Sequence, residues 1–140
     1  MEKLFFSVFV ITLLFGCSED DSTSIDSELI GKWNFVSSNI KQYEDNELIW
    51  EGDDSSDGLT EYYQFDSDGS FEYYSRYESE DELETIIGTY STEGDNLNLS
   101  AEDQSVSFDY QINQKVELVL YNEYSVEGSD YEMTSIFEKE

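Results

Sequence analysis

The sequence predicts an all-β fold: a small up-and-down antiparallel β-barrel of eight or nine short strands, preceded by a short N-terminal helical turn. Three observations carry this expectation. Apolar and polar residues alternate with a period of two over much of the chain. Clusters of Asp, Asn, Gly and Ser interrupt that alternation at short intervals. No segment longer than a single turn keeps a 3.6-residue apolar period.

Asp26-Ser27-Glu28-Leu29-Ile30 reads as the helical turn, with Asp26 as its cap. Strands are expected at roughly 31–40, 46–51, 60–66, 70–78, 83–92, 96–100, 104–112, 115–122 and 130–138. Tyr63 and Phe65 share one strand face. Phe71, Tyr73, Ser75 and Tyr77 alternate against Glu72, Tyr74 and Arg76. The pattern is clearest where Val106, Phe108, Tyr110 and Ile112 alternate with Ser105, Ser107, Asp109 and Gln111, and it repeats at Val116, Leu118 and Leu120. Asp66-Ser67-Asp68-Gly69 reads as a hairpin turn, as do Glu93-Gly94-Asp95-Asn96, Asn113-Gln114 and Glu127-Gly128-Ser129-Asp130. The acidic stretch Glu51–Gly58 reads as an open loop. A meander of this length must deal with its edge strands, and closure removes them. Eight strands leave an interior that side chains fill or that holds one small ligand.

The first residues read as an address. Lys3 precedes an apolar run, Leu4–Phe15, too short for a bilayer span, which takes about 20 residues, but suited to a secretory signal. The run ends in Leu14-Phe15-Gly16-Cys17, which resembles a bacterial lipobox. Residues 1–16 are then a lipoprotein signal peptide and Cys17 the acylated first residue of the mature chain. The other reading is a signal cut elsewhere, with Cys17 incidental. Residues 17–27 form an acidic, flexible tether and 28–140 the barrel domain. Ser18-Glu19-Asp20-Asp21 resembles the surface-export signals of Bacteroidota lipoproteins. The expected location is the outer membrane, lipid-anchored, at the cell surface, with a periplasm-facing domain as the alternative.

Composition excludes much else. The 140 residues contain 34 Asp and Glu, 6 Lys and Arg, no His, no Pro and one Cys, for a formal charge of −28. Without histidine there is no Ser-His-Asp or Cys-His machinery and no His-ligated zinc, haem or copper. A single Cys makes no internal disulfide. The charge repels phosphate backbones, so no nucleic-acid partner is expected. Eleven Tyr, nine Phe and two Trp are far too many for a disordered acidic chain. No enzyme activity and no cofactor are expected.

Leu29-x-Gly31-x-Trp33, Phe65…Asp68-Gly69-x-Phe71, Gly88-x-Tyr90 and Leu118-x-Leu120 occur in an order that resembles the lipocalin-like domains common in Bacteroidota lipoproteins. The resemblance spans about residues 28–138. It implies that Gly31 and Trp33 mark the closed base of the barrel. In lipocalins an Arg from a late strand usually covers this Trp. Here no Arg follows Arg76, and Lys139 is the cation available near the end. The resemblance also implies a small, mostly apolar ligand. Tyr63, Phe65, Phe71, Tyr73, Arg76 and Tyr90 are the candidates to line its site; Arg76 would hold an anionic head group if its face pointed inward, and otherwise sits outside. Asp53-x-Ser55-x-Asp57-Gly58 fits the first half of an EF-hand loop, but Gln64 stands where the bidentate Glu belongs, so only a weak cation site is expected there. The alternative to a ligand-binding barrel is a filled one, whose acidic face engages a cationic protein partner.

Overall fold

A computed structural model describes residues 24–79 and 83–140. The expected signal peptide, Cys17 and the first part of the expected tether lie outside the described residues. Nine antiparallel strands follow one another: β1 Gly31–Glu44, β2 Glu47–Ser55, β3 Leu59–Phe65, β4 Ser70–Tyr77, β5 Leu83–Glu93, β6 Asn96–Ala101, β7 Gln104–Asn113, β8 Glu117–Val126 and β9 Ser129–Lys139. Each strand from β3 onward pairs with the next, and β9 pairs back onto β1. Because β1 also pairs with β3, eight strands close the barrel. The ninth, β2, is extra. It pairs with the second half of β1, from Ser37 to Glu44, while β3 pairs with the first, from Gly31 to Asn34. β2 and β3 therefore run in the same direction along one flank of β1.

Two sequence expectations meet the structure here. The helical turn is a single hydrogen-bonded turn, with the Leu29 amide donating to the Asp26 carbonyl at 3.1 Å and the Glu28 amide to Asp26 Oδ1 at 2.9 Å. Gly31 ends it by entering β1 at φ +127°, a value that favours glycine. The acidic stretch expected as an open loop is largely strand, since β2 continues through Ser55. Asp and Glu are poor strand formers, but their side chains here reach solvent and the register with β1 supplies the pairing. The Asn39 amide bridges Glu51 (3.1 Å) and Asp53 (2.8 Å) on that outer surface.

The core fills one end of the barrel. Leu29, Trp33, Phe65, Leu97, Leu118 and Phe137 are almost wholly buried. Phe35 meets Phe137 edge-on at 5.6 Å, and Phe65 meets Tyr90 edge-on at 4.9 Å. β1 carries one extra residue between Phe35 and Ser37 relative to β9. This bulge reverses the inward phase, so Trp33 and Phe35 are buried before it and Ser38 after it.

Segment 24–30 plugs that end. The Thr92 amide and hydroxyl both donate to the Ser24 carbonyl, at 2.7 and 3.2 Å. Tyr110 donates to Asp26 Oδ2 at 2.8 Å, and Trp33 Nε1 to the Leu29 carbonyl at 2.6 Å. Ser24 and Ile25, within the span expected as tether, thus lie against the barrel, with Ile25 packed on the core. Lys139 completes the base. Its Nζ stands 4.9 Å from the Trp33 ring centroid and donates to the Glu28 carbonyl at 3.0 Å.

Candidate functional site

The opposite end is filled less completely, although Leu59 and Ser129 are buried there. β5 pairs with β6 only from Thr89 to Glu93, so residues 83–88 of β5 have no partner on that side. A cleft of about 420 Å³ enters the barrel through this gap. Tyr63, Phe71 and Tyr73 form its floor, and Ile86, Leu99 and Ala101 its walls. Glu84, Glu102 and Val106 stand at its rim. The last close approach before the gap is at Gly88, where a Cβ would run into the Ser100 carbonyl oxygen and lie 2.8 Å from Phe71 Cε1. Only glycine lets β5 approach β6 this closely just before the two diverge. β7 and β8 also separate above Asp109 and Tyr121. At the start of that second gap Asn122 donates to the Ser107 carbonyl at 3.1 Å, and its buried Oδ1 has no partner among the described residues.

The inner face of β3, β4 and β5 is layered by register. Phe65, Phe71 and Gly88 make one row, Tyr63, Tyr73 and Ile86 the next, and Glu61, Ser75 and Glu84 the row toward the mouth. The site therefore has an aromatic floor with carboxylates above it. Burial, reinforced by the charges of Asp54 and Glu84, pushes the Glu61 carboxyl up to about 7. Burial also raises the phenol of Tyr63 far above its ordinary value, and that of Tyr73 to about 12, so both are neutral hydroxyls at physiological pH. The Tyr63 and Tyr73 rings lie 5.0 Å apart, tilted at 42°.

The structure brings together three of the six residues expected to line a ligand, namely Tyr63, Phe71 and Tyr73. Phe65 and Tyr90 lie deeper, in the packed base, where the Tyr90 hydroxyl donates to the Asp66 carbonyl at 2.9 Å. Arg76 is exposed on the outer face with Tyr74, so it holds no ligand inside the barrel. Gly31 and Trp33 stand at the base, with Lys139 over the Trp. Among the described residues, no group of three or more Cys, Asp or Glu side chains is placed to hold a metal ion. Asp53 and Ser55 belong to β2 rather than to an open loop, and Asp57 follows them in the short β2–β3 connection. Glu84, Leu99 and Ala101 line the cleft, and Glu61 stands beside it in the row of Ser75 and Glu84; the sequence reading missed all four. The signal was present for Glu61, since Leu59-x-Glu61-x-Tyr63-x-Phe65 puts a charge on the apolar phase of β3.

A family profile described as a lipocalin-like domain matches residues 29–120. No curated protein matches the sequence. Among solved structures, an uncharacterized protein from Bacteroides eggerthii is similar at 18% identity, over 80% of this chain and 99% of that one, with a TM-score of 0.48. A bovine odorant binding protein, a deswapped triple mutant, is similar at 19% identity over 81% of this chain and 75% of that one, TM-score 0.46. The siderocalin Ex-FABP is similar at 14% identity with the same coverage, TM-score 0.47. With the profile covering most of the barrel, the chain belongs to the lipocalin-like domain family.

Proposed function

We propose that this chain is a binding protein whose half-open barrel takes one small, mostly apolar molecule and carries out no chemistry on it. The cleft between β5 and the β6–β7 hairpin carries the reading. It is concave, has an apolar floor and walls, and falls within the size range of small-molecule sites. Native mass spectrometry of gently purified protein tests this reading. A bound small-molecule mass at one per chain supports it, and an empty chain that takes up no apolar probe refutes it.

The proposal extends to location. A lipobox-like Leu14-Phe15-Gly16-Cys17 supports a lipid anchor at Cys17, and the acids after it support export to the outer face of the outer membrane. The chain enters the barrel at its plugged base, so an anchor at Cys17 would tether the base and leave the mouth facing away from lipid. Palmitate labelling of wild type against Cys17→Ala tests the anchor, and equal labelling refutes it. Protease shaving of intact cells tests the surface location, and full protection would favour a periplasm-facing domain.

A second reading is an acidic interaction protein. The unpaired outer edge of β2 favours it, where Leu48, Ile49 and Trp50 are each about half exposed. Capture of a cationic partner that is lost in high salt would support it.

A further inference from the structure

We infer that the cleft selects a cationic ligand: an organic ammonium with an apolar body, its charge held by Glu84 and Glu61 over the Tyr63 and Tyr73 rings and its body against Phe71, Leu99 and Ala101. The inference rests on the ligand-binding reading and deepens it by naming the chemical class.

The placement of positive charge excludes the opposite class. The described chain has five basic residues, and none lines the cleft. Lys32 and Lys139 lie at the base, where Lys32 pairs with Glu140 at 2.7 Å and Lys139 covers Trp33. Lys115 pairs with Glu28 at the same end, at 3.1 Å. Arg76 is exposed on the outer face of β4, and Lys41 is opposite Glu51 and Glu132 in the registers of β1. A fatty carboxylate entering the cleft would therefore meet Glu84 and Glu102 with no compensating cation.

The spacing of the carboxylates favours an ammonium. Glu61 and Glu84 are both in register with Ser75, one strand away on either side, so their backbones stand about 10 Å apart. That span admits one cation between two carboxylates, above two aromatic faces that attract it further.

The test uses three probes that differ only in the head group: decylamine, 1-decanol and decanoate, titrated calorimetrically into the described domain's full mature chain at pH 8. The inference expects decylamine to bind about tenfold or more tighter than 1-decanol, and decanoate to bind more weakly than either. Glu84→Gln and Glu61→Gln should each shrink the amine-to-alcohol ratio several-fold. Glu47→Gln, on exposed β2, removes the same charge away from the cleft and should leave the ratio unchanged. Equal affinity for all three probes, or an equal loss with Glu47→Gln, overturns the inference while leaving the ligand-binding reading intact. Binding of none of the three removes both.

Discussion

Replacing Glu61 with Gln should make the protein more stable, and only above a defined pH. Burial and the charges of Asp54 on β2 and Glu84 on β5 hold the folded-state carboxyl near pH 7, against an ordinary 4.5. The neighbouring Tyr63 and Tyr73 are neutral throughout this range. Between these two values the folded protein keeps a proton that the unfolded chain has released. The Glu61 contribution to stability is therefore fully present below about pH 4.5 and lost as the pH rises toward 7. Above that the ionised carboxylate is a standing penalty. Each pH unit of displacement corresponds to about 1.4 kcal/mol, which would give about 3 kcal/mol for a fully enclosed group. Glu61 keeps partial contact with water, which screens the effect to about 1–2 kcal/mol. Thermal melts of wild type and Glu61→Gln at pH 8 and pH 4 measure it. The variant should melt about 4–8 °C higher at pH 8 and within about 1 °C of wild type at pH 4. A lower Tm at pH 8, or the same increment at both pH values, would refute the reasoning. A carboxylate kept at such a cost beside a binding cleft is what a cation site would require.

Lys139→Met removes the cation over Trp33 and the hydrogen bond to the Glu28 carbonyl, and should cost about 1–2 kcal/mol in urea unfolding, with Lys139→Arg close to wild type. Gly88→Ala would force the new methyl against the Ser100 carbonyl and Phe71, and should cost about 3 kcal/mol or abolish folding, read by circular dichroism and yield. Arg76→Ala, on the exposed outer face, should change stability by less than about 0.5 kcal/mol and leave binding of every probe unaltered; a changed affinity would place Arg76 at the site after all.

Much of the barrel could be read from the chain because hairpin registers are local. Phe71/Tyr73, Phe108/Tyr110 and Leu118/Leu120 alternate cleanly, and tight turns at Gly69, Gly94 and Gly128 adopt positive φ. The second half of β2 was obscured because its acids face solvent and its strand character comes from pairing with β1, a property of the partner rather than of the segment. The bulge after Phe35 carries no distinct residue signal, so the reversal of phase along β1 appears only in the register with β9. At the site, period-two alternation gave the inward face but not depth. Phe65 and Phe71 share a row, yet only Phe71 borders the cleft, because the plug at 24–30 and the β5–β6 divergence decide which end is open. Both are long-range events. Arg76 was decidable by parity alone, since it falls with Glu72 and Tyr74 on the polar phase.

The central claim is that the less completely filled end of the barrel holds a small molecule. Ala101 lines the cleft on the short β6 strand, and Ala101→Phe would fill it while leaving the packed base untouched. Native mass spectrometry of wild type and Ala101→Phe, both folded by circular dichroism and both offered decylamine, makes the direct comparison. The account predicts one bound molecule on wild type and none on the variant; equal occupancy of the two, or an empty wild type, would contradict it.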